Sequence, residues 1–183
     1  MLEKHSPRVE YVGTEPGMSN AEHRWFALGV TSRHEKVARD LLQIKGFETV
    51  LPVYARRHQY GSRSRSFEIP VFPGYLFCRF DPSARLPILQ TPGVLRVVGA
   101  GKNPIPVGDD EIVSIRRAME ARVPMTPCGY WHSGQKGRIT RGPLAGIEGI
   151  IMNAKPPVRL VLSVNLLQRS LLLDIDADCV GLT

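Results

Sequence analysis

Five basic side chains, Arg56, Arg57, His58, Arg63 and Arg65, fall within ten consecutive positions. A phosphate backbone attracts such a cluster without any reading of base sequence, because neutralised phosphates release bound counterions. A solvated loop that aids solubility is the competing use, and both stay open at this point. Tyr60 to Ser66 has no apolar period, so these arginines are expected on a mobile connection between strands. A second cluster, Phe72, Tyr75 and Phe77, surrounds Pro73-Gly74. A Pro-Gly bend can hold Phe72 out of a sheet while Tyr75 and Phe77 share one strand face, which makes a compact apolar surface for a partner's helices. Packing of the same rings into the chain's own core is the alternative.

Catalytic constellations do not form. Gly99-Ala100-Gly101-Lys102-Asn103 resembles the end of a phosphate-binding loop, but Arg96 stands where glycine is needed and Asn103 where Ser or Thr is needed. The five histidines show no ligand spacing with one another or with cysteine. Asp174, Asp176 and Asp178 share a parity and read as a solvent face alternating with Ile175, Ala177 and Cys179. There is no GxSxG nucleophile elbow. No enzyme activity, metal or cofactor is expected.

The 183-residue chain carries 24 Lys and Arg against 17 Asp and Glu, a formal charge of +7. The excess sits in the middle: residues 24–123 hold sixteen basic and nine acidic side chains, whereas residues 1–23 hold two and four. Hydrophobic residues at 43% and charged residues at 22% are globular values that exclude wholesale disorder. The length suits one ordinary domain or two small ones. No apolar run reaches the roughly 18 residues of a membrane span, and the first 23 residues lack the apolar segment of a secretory signal. Cys78, Cys128 and Cys179 form neither an even set nor a CxxC pair, which points to a reducing cytoplasm.

The elements that must position these residues follow from period and punctuation. Residues 1–23 show no period and are expected to be a disordered tail. Trp25 to Val30 reads as a buried strand. Ser32 and Glu35 have the spacing of a capping box, and Val37, Ala38, Leu41 and Leu42 give the following helix one apolar face, stopped at Gly46. Phe47 to Tyr54 reads as a strand with Pro52 at its edge or end. Beyond the Pro-Gly bend, Tyr75 to Phe80 alternates as a strand, and Gly93 to Ala100 is another. Asp109, Asp110 and Glu111 place negative charge at the start of a second helix, whose apolar face is Ile112, Ile115, Ala118 and Met119. The expected domain, 24–121, is α+β with antiparallel character.

Residues 122–131, with two prolines and a glycine, are expected to be a linker. From 132 to 183 short β-rich runs alternate with turn signals, which suggests a small, bent five-stranded barrel. Gly142, Pro143, Gly146 and Gly149 fit the corners of such a barrel.

In this order, the segments resemble the NusG family of transcription elongation factors. The matches are Arg24-Trp25-Phe26, Phe72 to Tyr75 (FPGY), Thr91 to Gly99, Pro104 to Ile112, and a KOW motif from Gly142 to Ile150 followed by Leu160 to Ser170 and Leu173 to Val180. The resemblance implies a family NGN domain, an antiparallel sheet flanked by helices, followed by an SH3-like KOW barrel. It implies binding to the clamp helices of the RNA polymerase largest subunit through an apolar patch, with a reach to the opposite pincer that suppresses pausing or termination. Phe72, Tyr75 and Phe77 match the patch, and Trp25 and Phe26 match the strand beside it. The KOW domain resembles barrels that contact a ribosomal protein or the termination factor Rho. A cytoplasmic monomer with no membrane contact is expected.

The segment Ser66 to Pro82 is closer to specialised RfaH-like paralogs than to housekeeping NusG. Such paralogs act at a restricted set of operons and use a basic face to touch non-template DNA, for which Arg33, His34, Arg56, Arg57, Arg63 and Arg65 are the candidates. Three positions depart from the pattern. Ala84 to Pro87 lacks a threonine-rich element, Gly29 replaces an aromatic of the patch, and Gly137 replaces a valine expected to support the first barrel strand. RfaH can refold its KOW domain into helices, but Val158 to Leu167 is rich in valine and leucine with period-2 stretches and is expected to stay β. The rival readings are a housekeeping factor acting genome-wide with Rho, and, more distantly, a ribosome-associated RNA-binding protein.

Overall fold

The computed structural model describes residues 23–60, 63–131, 134–153 and 158–182; the tail expected over 1–23 therefore lies outside the described residues apart from His23. The first half runs β1 (Arg24–Val30), α1 (Glu35–Ile44), β2 (Glu48–Val50), β3 (Val53–Tyr60), β4 (Arg63–Pro70), β5 (Tyr75–Phe80), α2 (Leu86–Leu89), β6 (Val94–Val97), β7 (Gly99–Ala100), β8 (Asn103–Pro104) and α3 (Asp109–Glu120). The second half runs β9 (Met125–Gly129), β10 (Gln135–Ile139), β11 (Glu148–Asn153), β12 (Val158–Val164), β13 (Arg169–Ile175) and β14 (Val180–Leu182).

β1, apolar on both faces, belongs at the centre of a sheet, and the antiparallel order is β2-β5-β1-β6. One face of this N-terminal sheet, with Phe26, Leu28, Val30, Leu76, Cys78 and Phe80, closes on Ala38 and Leu42 of α1 and Ile88 of α2. Trp25, Ala27 and Phe77 on the opposite face meet Ile112, Ile115 and Ala118 of α3. That second core does not end at α3. It continues into Ile139, Leu160, Leu171 and Leu173 of a six-stranded antiparallel sheet ordered β14-β10-β11-β12-β13-β9.

The capping box does not form. Arg33 takes a left-handed φ of 65°, so the helix starts at Glu35, capped by His34 without a side-chain bond. Glu35 is thus the first helical residue and cannot reach back as a third one would. The arginine cluster is not on a loop: β3 and β4 pair in register from Val53↔Pro70 to Tyr60↔Arg63 as a separate two-stranded ribbon. An apolar period could not announce a ribbon with no buried face along most of its length. The expected linker is also corrected, because Met125–Gly129 is β9, paired with β13 at the edge of the C-terminal sheet. Pro127 is tolerated there because an edge strand leaves one row of backbone groups outside the ladder. β9 gives this sheet six strands where five were expected.

Val158 to Val164 is β as expected, and Asn165–Leu167 turns it into β13. The close approach of β12 requires glycine at 149: a Cβ there would stand 2.6 Å from the carbonyl oxygen of Val161, too close for any side chain. At Gly137 the strand persists, and Ile151 fills the space a valine would have taken.

Candidate functional site

The aromatic cluster is organised by a tight turn. Gly74 sits at φ +81°, which only glycine adopts freely, and the Tyr75 amide donates to the Phe72 carbonyl at 3.0 Å across it. The Val30 amide donates to the Gly74 carbonyl at 2.9 Å, joining the turn to the end of β1. Phe72 and Phe77 meet edge to face with centroids 5.9 Å apart.

These rings are not turned outward. Phe72 is 1% and Phe77 0% exposed, and Tyr75 is half-buried beneath Arg169, whose guanidinium lies 5.6 Å from the ring centroid. Arg169 opens β13, so the C-terminal sheet reaches the aromatic turn. Trp25 is buried in the same core as Phe72 and Phe77. Phe26 points to the other side, where its ring packs tilted against Phe80 with centroids 4.7 Å apart, so it does not belong to this face. At Gly29, between Tyr75 and Arg96 in register, a Cβ would stand 3.1 Å from Arg96 Cγ. The arginine stem therefore occupies the place where an aromatic was missing from the pattern.

Polar contacts hold the C-terminal sheet against α3. Arg117 donates to the carbonyls of Pro143 at 2.6 Å and Ala145 at 2.9 Å, which seats the Gly142–Gly146 loop. The Asn165 side-chain amide donates to Glu111 Oε1 at 2.7 Å, and its backbone amide to the same oxygen at 3.4 Å. Beside these contacts lies a cleft of about 590 Å³ lined by Glu111, Ser114, Arg117, Trp131, Ile147 and Ser163. The seat is thus partly open and not packed like a core throughout. Burial pushes the Glu111 carboxyl above its usual value of 4.5, outweighing the two bonds from Asn165 that pull the other way.

The basic candidates divide by register, since directly paired residues share a face. Arg56 pairs with Phe67, and Arg65 lies two positions along on that face, while Arg57 pairs with Ser66 on the other. Arg56, Arg57, Arg65 and Phe67 are exposed. His58 takes the register position opposite Arg65, and Arg63 the one opposite Tyr60. Glu68, on the Arg57 face, accepts from Lys36 at 2.9 Å, which ties that side of the ribbon's base to α1. Exposed Arg33 and His34 stand at the start of the same helix. The six candidates therefore do not make one continuous face.

Among the described residues no group of three or more His, Cys, Asp or Glu could hold a metal ion. Asp174 is paired with Arg159 at 3.2 Å, and burial pushes the Cys78 thiol up to about 12. Sequence reasoning missed Arg169, Asn165 and Arg117 as members of the seat. Their partners are distant in sequence, and no local pattern marks a side chain for a contact between two sheets.

Comparison with known proteins adds an independent finding. The family model described as NusG, transcription termination factor nusG, matches residues 23–116. A Thermus thermophilus protein named transcription termination/antitermination protein NusG is 26% identical over 153 residues, spanning 72% of this chain and 83% of its own length. A Campylobacter jejuni protein of the same name is 26% identical over 140 residues, spanning 70% and 79%. The fold is similar to a solved structure described as domain interaction in Thermotoga maritima NusG, with a TM-score of 0.54 at 20% identity over 88% of this chain and 97% of that one.

The Glu111 carboxyl makes the seat sensitive to pH. Its pKa is raised when the sheets are docked, so the docked form binds the proton more tightly than an undocked one. Its contribution to docking is full below the ordinary carboxylate value of 4.5 and is lost as pH rises through the docked value. Fluorescence transfer between labels on the two halves is expected to fall with rising pH across that window. Glu111→Gln is expected to flatten the fall while keeping an oxygen for Asn165, and an unchanged profile in that variant would rule out the carboxyl as its source.

Proposed function

The chain belongs to the NusG family of transcription termination/antitermination proteins, and from that premise we propose that it is an elongation factor that acts on RNA polymerase by binding. The partner surface is the aromatic turn around Phe72 and Tyr75, with Phe77 supporting it edge to face from beneath α3, and it is offered to the clamp helices of the largest subunit once the C-terminal sheet lifts away. The observation that carries this reading is that the face is apolar and covered from within the chain, across a seat that includes a large cleft. A surface so covered stays out of water in the free chain and is available to a competitor of similar chemistry. Polymerase must favour the undocked form, since a ligand shifts an equilibrium only by its differential affinity.

The outer surfaces extend the same reading. On α2, Leu86 within the stretch that lacks the threonine-rich element and Leu89 just after it are exposed, and they offer an apolar contact to the opposite pincer. Arg56 and Arg65, on one face with Phe67 opposite Arg56, offer charge and a ring to the non-template strand, and Arg57 and Arg33 offer charge elsewhere. The C-terminal sheet, once released, is the part that meets a ribosomal protein or Rho. Restriction to a few operons rests on the likeness of Ser66 to Pro82 to specialised paralogs. Chromatin mapping confined to a few transcription units supports it, and genome-wide occupancy favours the housekeeping role.

Tyr75→Ala tests the face with the least disturbance of the core, because this ring is only half-buried. Burying an aromatic is worth about 1.5–3 kcal/mol, so polymerase affinity is expected to fall by roughly tenfold or more at an unchanged melting temperature. Full affinity in a folded Tyr75→Ala chain would remove the face from the mechanism. For the ribbon, Arg56→Ala with Arg65→Ala is expected to make log K for a single strand less steep in log salt by about 1.4. An unaltered slope would assign the contact elsewhere.

A further inference from the structure

Glu35 is a carboxylate buried to 4% exposure, and it is neither a helix cap nor part of a salt bridge among the described residues. Its Oε1 accepts a hydrogen bond from the Gly74 amide at 2.8 Å, the central amide of the aromatic turn. A buried charge is costly unless it is paired or hydrogen-bonded. Here the first turn of α1, with its unpaired amides, supplies favourable potential, and the Gly74 amide supplies a directed bond. The same corner of the chain holds both turns that lead into neighbours of β1. The Val30 amide donates to Gly74 and the Thr31 amide to Gly93, the latter at 2.8 Å. The Gly93 turn is tied to the far end of the helix, where Lys45 donates to Thr91 Oγ1 at 2.8 Å, whereas the Gly74 turn, which carries the rings, is held by the first residue of α1.

We propose that Glu35 is a positioning residue for the polymerase-binding face. Its carboxylate fixes the plane of the Pro73–Gly74 peptide and thereby the directions in which Phe72 and Tyr75 leave the turn. It also makes the turn rigid with the start of α1, where Arg33, His34 and Lys36 stand, so that the aromatic face and this basic helix end move as one body. The role rests on the reading that the aromatic turn meets polymerase. The bond itself does not, and the test separates the two.

The test uses the full chain and three forms: wild type, Glu35→Gln, which keeps an oxygen acceptor at the same reach, and Glu35→Ala, which removes it. The readouts are amide exchange at Gly74, exchange at β1 and β5 amides, and affinity for RNA polymerase core enzyme. Glu35→Ala is expected to speed exchange at Gly74 by about tenfold while β1 and β5 stay protected, and to weaken polymerase binding by a similar factor. Glu35→Gln is expected to restore both to within about twofold of wild type. Unchanged Gly74 exchange in Glu35→Ala overturns the proposal, as does acceleration spread evenly over β1 and β5. Should Glu35→Ala fail to fold, Glu35→Gln decides alone: protected Gly74 and retained binding support the role, and loss of either overturns it. A wild-type chain that does not bind polymerase would sink the functional reading, while Gly74 exchange would still decide whether Glu35 holds the turn.

Discussion

The structure depends on the burial of one sheet face that its own helices cannot fully cover. β1 and β5 are apolar on both sides, so the N-terminal sheet must be closed twice. α1 and α2 close one side. On the other, α3 has 12 residues, about 18 Å of helix, and covers the end that carries Trp25, Ala27 and Phe77. The turn with Phe72 and Tyr75 lies at the opposite end of β5 from Arg79, which with Arg116 of α3 pairs with Glu48, and it is the end where the C-terminal sheet arrives. A long apolar sheet and a short helix leave rings that something else must shelter.

What shelters them combines a continuous apolar core with directed polar contacts. The N-terminal side of the seat presents aromatic rings and an amphipathic helix, while the C-terminal side presents a loop read through its carbonyls and a turn read through Asn165. Hydrogen bonds of this sort add direction but little net energy, because water satisfies the same groups on separation. The cleft removes dispersion contacts that a filled interface would have. Docking therefore joins apolar burial to contacts specific in geometry, and the cleft leaves one side of the seat open to a partner that displaces the cover.

Much of this was legible in the sequence. The strand at Trp25, the helix at Asp109 and the sheet beyond Gly134 followed from period and turn residues, and the FPGY turn was recognisable because Pro73 and Gly74 leave the backbone few choices. The failures have a common cause in tertiary context. Phe72 and Phe77 obey the same local rules whether they face a partner or the interior of their own chain. Arg56 and Arg65 share a ribbon face with Phe67, while Arg57 does not, and only the register reveals the difference. Residues 122–131 looked like a linker because they hold two prolines and a glycine and show no period, but a strand at the edge of a sheet tolerates Pro127. Glu35 carried the signature of a cap, but a left-handed Arg33 shifted the helix start and freed the carboxylate for Gly74, 39 residues away.

The central claim is that the C-terminal sheet and polymerase compete for one aromatic face. Its most direct test is the distance between spin labels at exposed Val37 on α1 and exposed Leu182 on β14, measured in the free chain and with RNA polymerase core enzyme bound. The account predicts a single narrow distance in the free chain that is replaced, on binding, by a longer and broader distribution. A bound complex that keeps the free chain's narrow distance would contradict it.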